Sequence, residues 1–282
     1  MENIARKRPF PTIGDGFAML AIFLVMQMLV GVILRAVGVV SPIVSAIEDV
    51  DVETYMNEQL ALGRYTALAY PLLMFSSIAA LWIYVRLRGG KKAIHIRHSA
   101  SGFNPTLVLV GVLWLYSSQI ILEPLVSLLP ENPGQGLGRG AWACLTAVVT
   151  AAVAEELLCR GLLFETLNKR LGVKMSILLS ALFFGLIHFD PATAVIALVA
   201  GIIFGVLYVR TSSLYTTIII HAINNALAFA LISFGVGDVT FSEVVGGGVT
   251  YYILYGVAAA IFVACSVEAY FNVFKAKNVK GE

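Results

Sequence analysis

The sequence predicts an all-α fold, a polytopic membrane bundle of about eight transmembrane helices with both termini cytoplasmic. Three observations predict it. Apolar residues make up 59% of the 282-residue chain and charged residues 13%, against roughly 45–50% and about 25% in ordinary globular domains. Mean hydropathy is +0.87. The 19 basic and 17 acidic side chains collect in short stretches between apolar runs, so they cannot cover a water-facing surface. This excludes a soluble enzyme, a nucleic-acid binder and a disordered chain. The net charge of +2 is too small to imply an anionic partner, and the placement of the charges is more telling than their sum.

About 20 apolar residues are needed to cross a hydrocarbon core of roughly 30 Å. Eight stretches qualify, at about 16–40, 65–85, 105–129, 141–167, 174–189, 191–209, 212–234 and 249–273. Arg6, Lys7 and Arg8 precede the first. That run is too long for a signal-peptide core and shows no clear small-residue cleavage site, so it reads as a retained helix. Basic residues then mark one side: Arg86, Arg88, Lys91, Lys92 and Arg97; Lys169, Arg170 and Lys174; Arg210; and Lys275, Lys277 and Lys280. Glu48, Asp49, Asp51, Glu53, Glu131, Asp190, Asp238 and Glu243 mark the other. This alternation orients the bundle in a plasma membrane with its basic side in the cytoplasm.

The whole chain, 1–282, reads as one membrane domain. The longest loops, about 41–64 and 86–104, have room for one short amphipathic helix each. Gly246, Gly247 and Gly248 form a turn before the last span. Cys144, Cys159 and Cys265 all fall in apolar runs and read as free thiols. Asp190-Pro191 is a helix-start signal, a capping side chain followed by a residue favoured at the first helical position. The fifth span is then only about 15 residues, roughly 22 Å long. Its end, with His188, should lie below the outer surface.

Polar residues concentrate in three spans: Glu155, Glu156 and Arg160 in the fourth; His188 in the fifth; and His221, Asn224 and Asn225 in the seventh. Ionisable groups at the membrane centre cost about 2.5–3.5 kcal/mol each on insertion scales. Counted from Lys169, Lys174 and Arg210, the depths of Glu155, His188, His221 and Asn225 are roughly 21, 21, 16 and 22 Å. One polar layer can hold all four.

Helical spacing divides their roles. Glu156 and Arg160 are i,i+4 and can pair along one face. Glu155, about 100° around the helix, has no sequence-local cation, and partial desolvation would make it a base suited to near-neutral pH. Ala143, Ala147 and Ala151 lead to it at steps of four, a small-residue ridge that admits a neighbouring helix. His221 and Asn225 point the same way and can supply two donors to an oxyanion. Phe184, one turn before His188, can fix that ring or line a substrate groove. A carboxylate base, a histidine that orients water and two oxyanion donors are the parts that peptide-bond hydrolysis requires.

Glu155-Glu156-Leu157-Leu158-Cys159-Arg160 fits EExxxR, Phe184-Gly185-Leu186-Ile187-His188 fits FxxxH, and His221-Ala222-Ile223-Asn224-Asn225 fits HxxxN. In this order on separate spans, the trio resembles the type II CAAX prenyl endopeptidases (CAAX prenyl protease 2) and the related bacterial CPBP, or Abi, membrane proteases. The resemblance covers residues 141–235, the expected catalytic core. It implies an intramembrane endopeptidase in which Glu155 and His188 activate water and His221 and Asn225 stabilise the oxyanion. Glu156, Arg160 and Phe184 are its supporting residues. Spans one to three and eight carry no signature. No cofactor is expected. HExxH is absent, although two His and two Glu leave a divalent ion such as zinc open; the metal-free reading is preferred. The expected partners are a membrane-associated peptide or protein substrate, prenylated or leader-bearing, and the lipid bilayer.

Two other classes fit buried Glu and His. A proton-coupled transporter would show interrupted helices in two repeated halves, whereas these polar residues crowd into spans four to seven. A non-catalytic scaffold or regulator of the same fold is the closer rival. Gly235-Val236-Gly237-Asp238 matches the GxGD of aspartyl proteases but lacks a Tyr-Asp partner. Gly201 and Gly205, continued backwards by Ala197, read as a packing ridge, and Asn224 as structural. Glu123 and Glu268 read as solvated, snorkelling or helix-paired, and His95 and His98 as facing lipid headgroups.

Overall fold

The structure, a computed structural model, describes residues 10–46, 48–89, 96–97, 103–130, 136–235 and 239–275. It is helical throughout, without a strand among the described residues, and the protein is a multi-pass membrane protein. Helices α1 (Ile13–Ala36), α2 (Val52–Gly89), α3 (Pro105–Val126), α4 (Gly140–Leu186), α5 (Pro191–Thr211), α6 (Leu214–Ser233) and α8 (Gly248–Ala269) are long and apolar enough to cross a bilayer. The short α7 (Phe241–Val244) precedes the last. Arg6, Lys7, Arg8, Lys91, Lys92, His95, His98, Glu131, Asp238, Lys277 and Lys280 lie outside the described residues, as do Val236 and Gly237 of the GxGD match.

Seven long helices make eight passes because α4 folds back on itself. It spans 47 residues, roughly 70 Å if straight, but consists of two helices joined at a kink. Gly172, at φ 74° and ψ 170°, breaks the helical path, in a region of backbone space that glycine enters without a Cβ clash. The consequence is visible higher up. The Arg160 guanidinium lies 4.9 Å from the ring centroid of Phe184, although 24 residues of straight helix would separate them by roughly 36 Å. The two arms, 140–171 and 173–186, are therefore antiparallel, the separate fourth and fifth spans of the sequence reading.

Polar contacts tie the helices together at both ends of the bundle. At one end Arg88 pairs with Asp15 (2.9 Å), Arg97 with Glu165 (2.8 Å) and Arg210 with Glu268, while Arg170 donates to the Pro11 carbonyl. At the other, Glu58 accepts from the Ser45 amide, Glu123 from the Ser242 amide, and Arg139 donates to the Ile232 carbonyl. Glu123 and Glu268 are thus both engaged across helices.

Local chemistry explains the boundaries. Thr12 and Asp15 form a reciprocal capping box at the start of α1. Asp190 caps α5 by accepting from the Thr193 amide, with Pro191 at the first helical position, as its dipeptide predicts. The largest difference from expectation is α2, which begins at Val52 rather than near 65. Its polar first turns carry Glu53, Asn57 and Glu58 and prolong the spanning helix beyond the apolar run instead of forming a separate amphipathic helix. The Gly201–Gly205 ridge packs as predicted: a Cβ on Gly201 would meet Ala181 Cα at 2.9 Å, and one on Gly205 would meet Ile177 at 3.0 Å.

Candidate active site

The site is built on a turn of α4 bounded by irregular helix. Residues Ala152–Glu156 are α-helical between two π-helical stretches, Thr146–Ala151 and Leu157–Phe164. Such widenings are rare and recur at functional sites. Ala143, Ala147 and Ala151 remain buried through the change of pitch. Ala143 meets Gly63 of α2, where a glycine Cβ would lie 3.2 Å from its own. The predicted small-residue ridge therefore brings α2 close to the arm that carries the two glutamates.

Glu156 and Arg160 form the floor. Both are fully buried, and Arg160 Nη1 donates to Glu156 Oε1 at 2.7 Å. Nη2 donates to the Gly201 carbonyl at 2.9 Å, and the guanidinium lies over the rings of Phe184 and Phe204. Neutralisation by the carboxylate and two aromatic faces holds this charge inside the bundle.

His221 joins floor to rim. Its ring stacks on Phe204 (5.2 Å between centroids) and meets the edge of Phe184 (5.7 Å). Nδ1 lies 3.3 Å from Glu156 Oε1, while Nε2 lies 3.6 Å from Glu155 Oε2. The second separation is too long for a hydrogen bond and leaves Oε2 uncommitted. Oε1 of Glu155 accepts from the Tyr70 hydroxyl at 2.5 Å. The sequence reading brings Glu155 and His221 together, and so does the fold.

His188 comes in through Phe184. Its Nδ1 lies 2.7 Å from the Phe184 carbonyl, and the two rings meet edge to face at 5.0 Å. A carbonyl only accepts, so Nδ1 carries the hydrogen and Nε2 of the neutral ring presents its lone pair. Among the described residues no carboxylate pairs with His188; the aromatic core orients it. Phe184 is itself buried and touches the rings of both His188 and His221.

Asn225 donates from Nδ2 to the Ala147 carbonyl at 2.9 Å and accepts from Asn224 at 3.2 Å. One amide hydrogen remains for another acceptor. Asn224 in turn accepts from Gln119 of α3, a buttressing position in keeping with its structural reading. Among the described residues no group of three or more His, Cys, Asp and Glu side chains is disposed to hold a metal ion. A cavity of about 540 Å³ opens elsewhere, between the start of α1 and the two arms of α4, lined by Phe17, Leu163, Phe183 and Leu186 among others. It includes none of the site residues.

Spans two and three contribute after all. Tyr70 was not singled out because no motif contains it, yet depth alone marks it. It lies 16 residues from Arg86, roughly 24 Å from the basic end and level with Glu155, whereas membrane tyrosines favour the interfaces. Phe204 and Gln119 carry no comparable signal, since one is an ordinary apolar residue and the other reads as a lone polar contact.

Residues 138–227 match the family described as Type II CAAX prenyl endopeptidase Rce1-like, the family that the three motifs resemble. The matched stretch contains every one of the seven predicted site residues. Neither a search of curated proteins nor one of solved structures finds a match.

Proposed function

From a core that matches the Rce1-like CAAX-type membrane proteases, we propose that the protein is an intramembrane endopeptidase that hydrolyses peptide bonds of membrane-associated substrates with water activated by Glu155. The observation that carries this reading is the approach of Glu155 Oε2 to within 3.6 Å of His221 Nε2. Two motifs from separate spans thus converge, with one carboxylate oxygen uncommitted.

In this mechanism a water molecule lies between Glu155 Oε2 and the lone pair of His188 Nε2. Glu155 takes its proton as the oxygen attacks the scissile carbonyl. The resulting oxyanion accepts from the remaining amide hydrogen of Asn225 and from His221 Nε2, which donates when Nδ1, turned to the Glu156 carboxylate, also keeps its hydrogen. Glu155 then returns the proton to the leaving amine. Glu156 and Arg160 keep His221 and Phe184 in register and make no bond to substrate. Were a divalent ion bound instead, Glu155, His188 and His221 would be the residues to hold it, and it would supply the Lewis acid that activates the water. Stoichiometric metal in the purified protein, with reversible loss of activity on chelation, would favour that arrangement.

The substrate is a membrane-anchored peptide, prenylated or leader-bearing, and the proposed setting is the plasma membrane with the basic side of the bundle in the cytoplasm. The test compares membrane proteomes of cells with the wild-type chain and with Glu155→Ala. Cleaved peptides present only with wild type identify the substrate. Identical proteomes at equal protein levels would favour the scaffold or regulator.

A further inference from the structure

Glu155 has two chemically equivalent oxygens, yet only one faces His221. We infer that Tyr70 makes the difference: its hydroxyl occupies Oε1 and so dedicates Oε2 to the proton of the attacking water. The inference rests on the reading of Glu155 as the base and assigns Tyr70 as the positioning residue for it. The Tyr70 hydroxyl donates to Glu155 Oε1 at 2.5 Å. This is the one hydrogen bond that Glu155 makes among the described residues, because the neighbouring cation, Arg160, is committed to Glu156 and the Gly201 carbonyl.

Tyr70 is well placed to position another group because its own helix is pinned on both sides. One turn earlier, the Thr66 hydroxyl donates to the Leu137 carbonyl at 2.8 Å. Just before that, Gly63 sits so close to the start of α4 that an added Cβ would lie 2.5 Å from the Arg139 carbonyl. Beyond it, the Gln27 side chain of α1 bonds Leu73 and Ser77. The phenol is thus held by a helix other than the one that carries Glu155. Without the hydroxyl, the carboxylate turns about its own side chain and either oxygen, or neither, faces the water. Misplacement of about an ångström can cost up to 10²-fold in rate.

The test uses the full-length protein in detergent and, as reporter, a membrane peptide whose cleavage Glu155→Ala abolishes. Tyr70→Phe should lower kcat about tenfold to a hundredfold and leave KM within about twofold. In a Glu155→Asp background, whose shortened carboxylate withdraws from the phenol, the same substitution should change kcat by less than about twofold. Equal losses in both backgrounds, or full activity of Tyr70→Phe, would overturn the assignment while leaving Glu155 as the base. Cleavage that survives Glu155→Ala would instead remove the base and the inference with it. If Tyr70→Phe does not fold, 4-fluorophenylalanine at position 70 keeps the size but cannot donate to Glu155. It should then lower kcat without moving the thermal midpoint, and an unchanged kcat would overturn the assignment.

Discussion

Glu155 and Glu156 are adjacent carboxylates on the same turn of helix, and the bundle treats them in opposite ways. Glu156 is fully buried and paired on one side: Arg160 occupies its Oε1 and His221 Nδ1 approaches the same oxygen, while its Oε2 stays sealed inside the bundle. Glu155 sits at the rim, 8% exposed, with one oxygen held by Tyr70 and the other uncommitted. The floor is a buried ion pair between aromatic faces whose free atoms, Glu156 Oε2 and Arg160 Nε, are sealed from any visitor, whereas the rim keeps free capacity that a visitor can reach: one oxygen of Glu155, one nitrogen of His188 and one hydrogen of Asn225. A polar group without a commitment is costly in a membrane, and only at the partly exposed rim can such a group meet something that is not the protein itself.

The sharpest way to break this comparison is the same chemical change at both positions. Glu155→Gln keeps an acceptor for Tyr70 but is no base. It should fold normally and lose at least about 10³-fold in proteolysis of the reporter peptide. Glu156→Gln leaves Arg160 buried without a counter-charge and should cost about 3–5 kcal/mol of stability, read as a lowered thermal midpoint in detergent. If Glu156→Gln folded well and lost activity in the same way, floor and rim would be one catalytic unit. Next in size is Asn225→Ala, for which the loss of one oxyanion donor predicts about 10²–10³ in kcat. A rise in KM alone would make Asn225 part of substrate binding.

How much of this was legible depended on whether a residue's function travels with its helix. Span positions, the Asp190 cap, the glycine ridge and the Glu156–Arg160 pair follow from local spacing, because periodicity and capping act over one to four residues. The meeting of Glu155 with His221 followed from depth below the basic anchors. What spacing could not give was rotation about each helix axis. Tyr70 lies in the same layer, but nothing in span two tells which way its ring turns; that depends on the close packing of Gly63 against Ala143. Nor did a straight-helix reading foresee the two π-helical stretches, which arise where the arm is gripped by α2 and α6. Asn225 bonding the Ala147 carbonyl inside one of them is a product of that grip.

The smallest effect sharpens the rim itself. Asp190 caps α5 two residues after His188, and the intervening Phe189 has a left-handed backbone, φ 58°, uncommon for a bulky residue. The Thr193 hydroxyl and amide beside Asp190 hold its carboxyl below the usual carboxylate range. A depressed value in the folded state means that the ionised cap stabilises α5 above the unfolded carboxylate range near pH 4. That contribution is lost as pH falls through the folded value. Asp190→Ala should therefore cost about 1 kcal/mol or less at neutral pH, as for other exposed caps, and the difference from wild type should vanish toward low pH. Because the cap pulls on the turn that ends the His188 arm, it should also lower kcat modestly. His188 owes its orientation mainly to the Phe184 carbonyl, one turn inside. A loss as large as that of Asn225→Ala would mean that the rim is held from the loop and not from the aromatic floor.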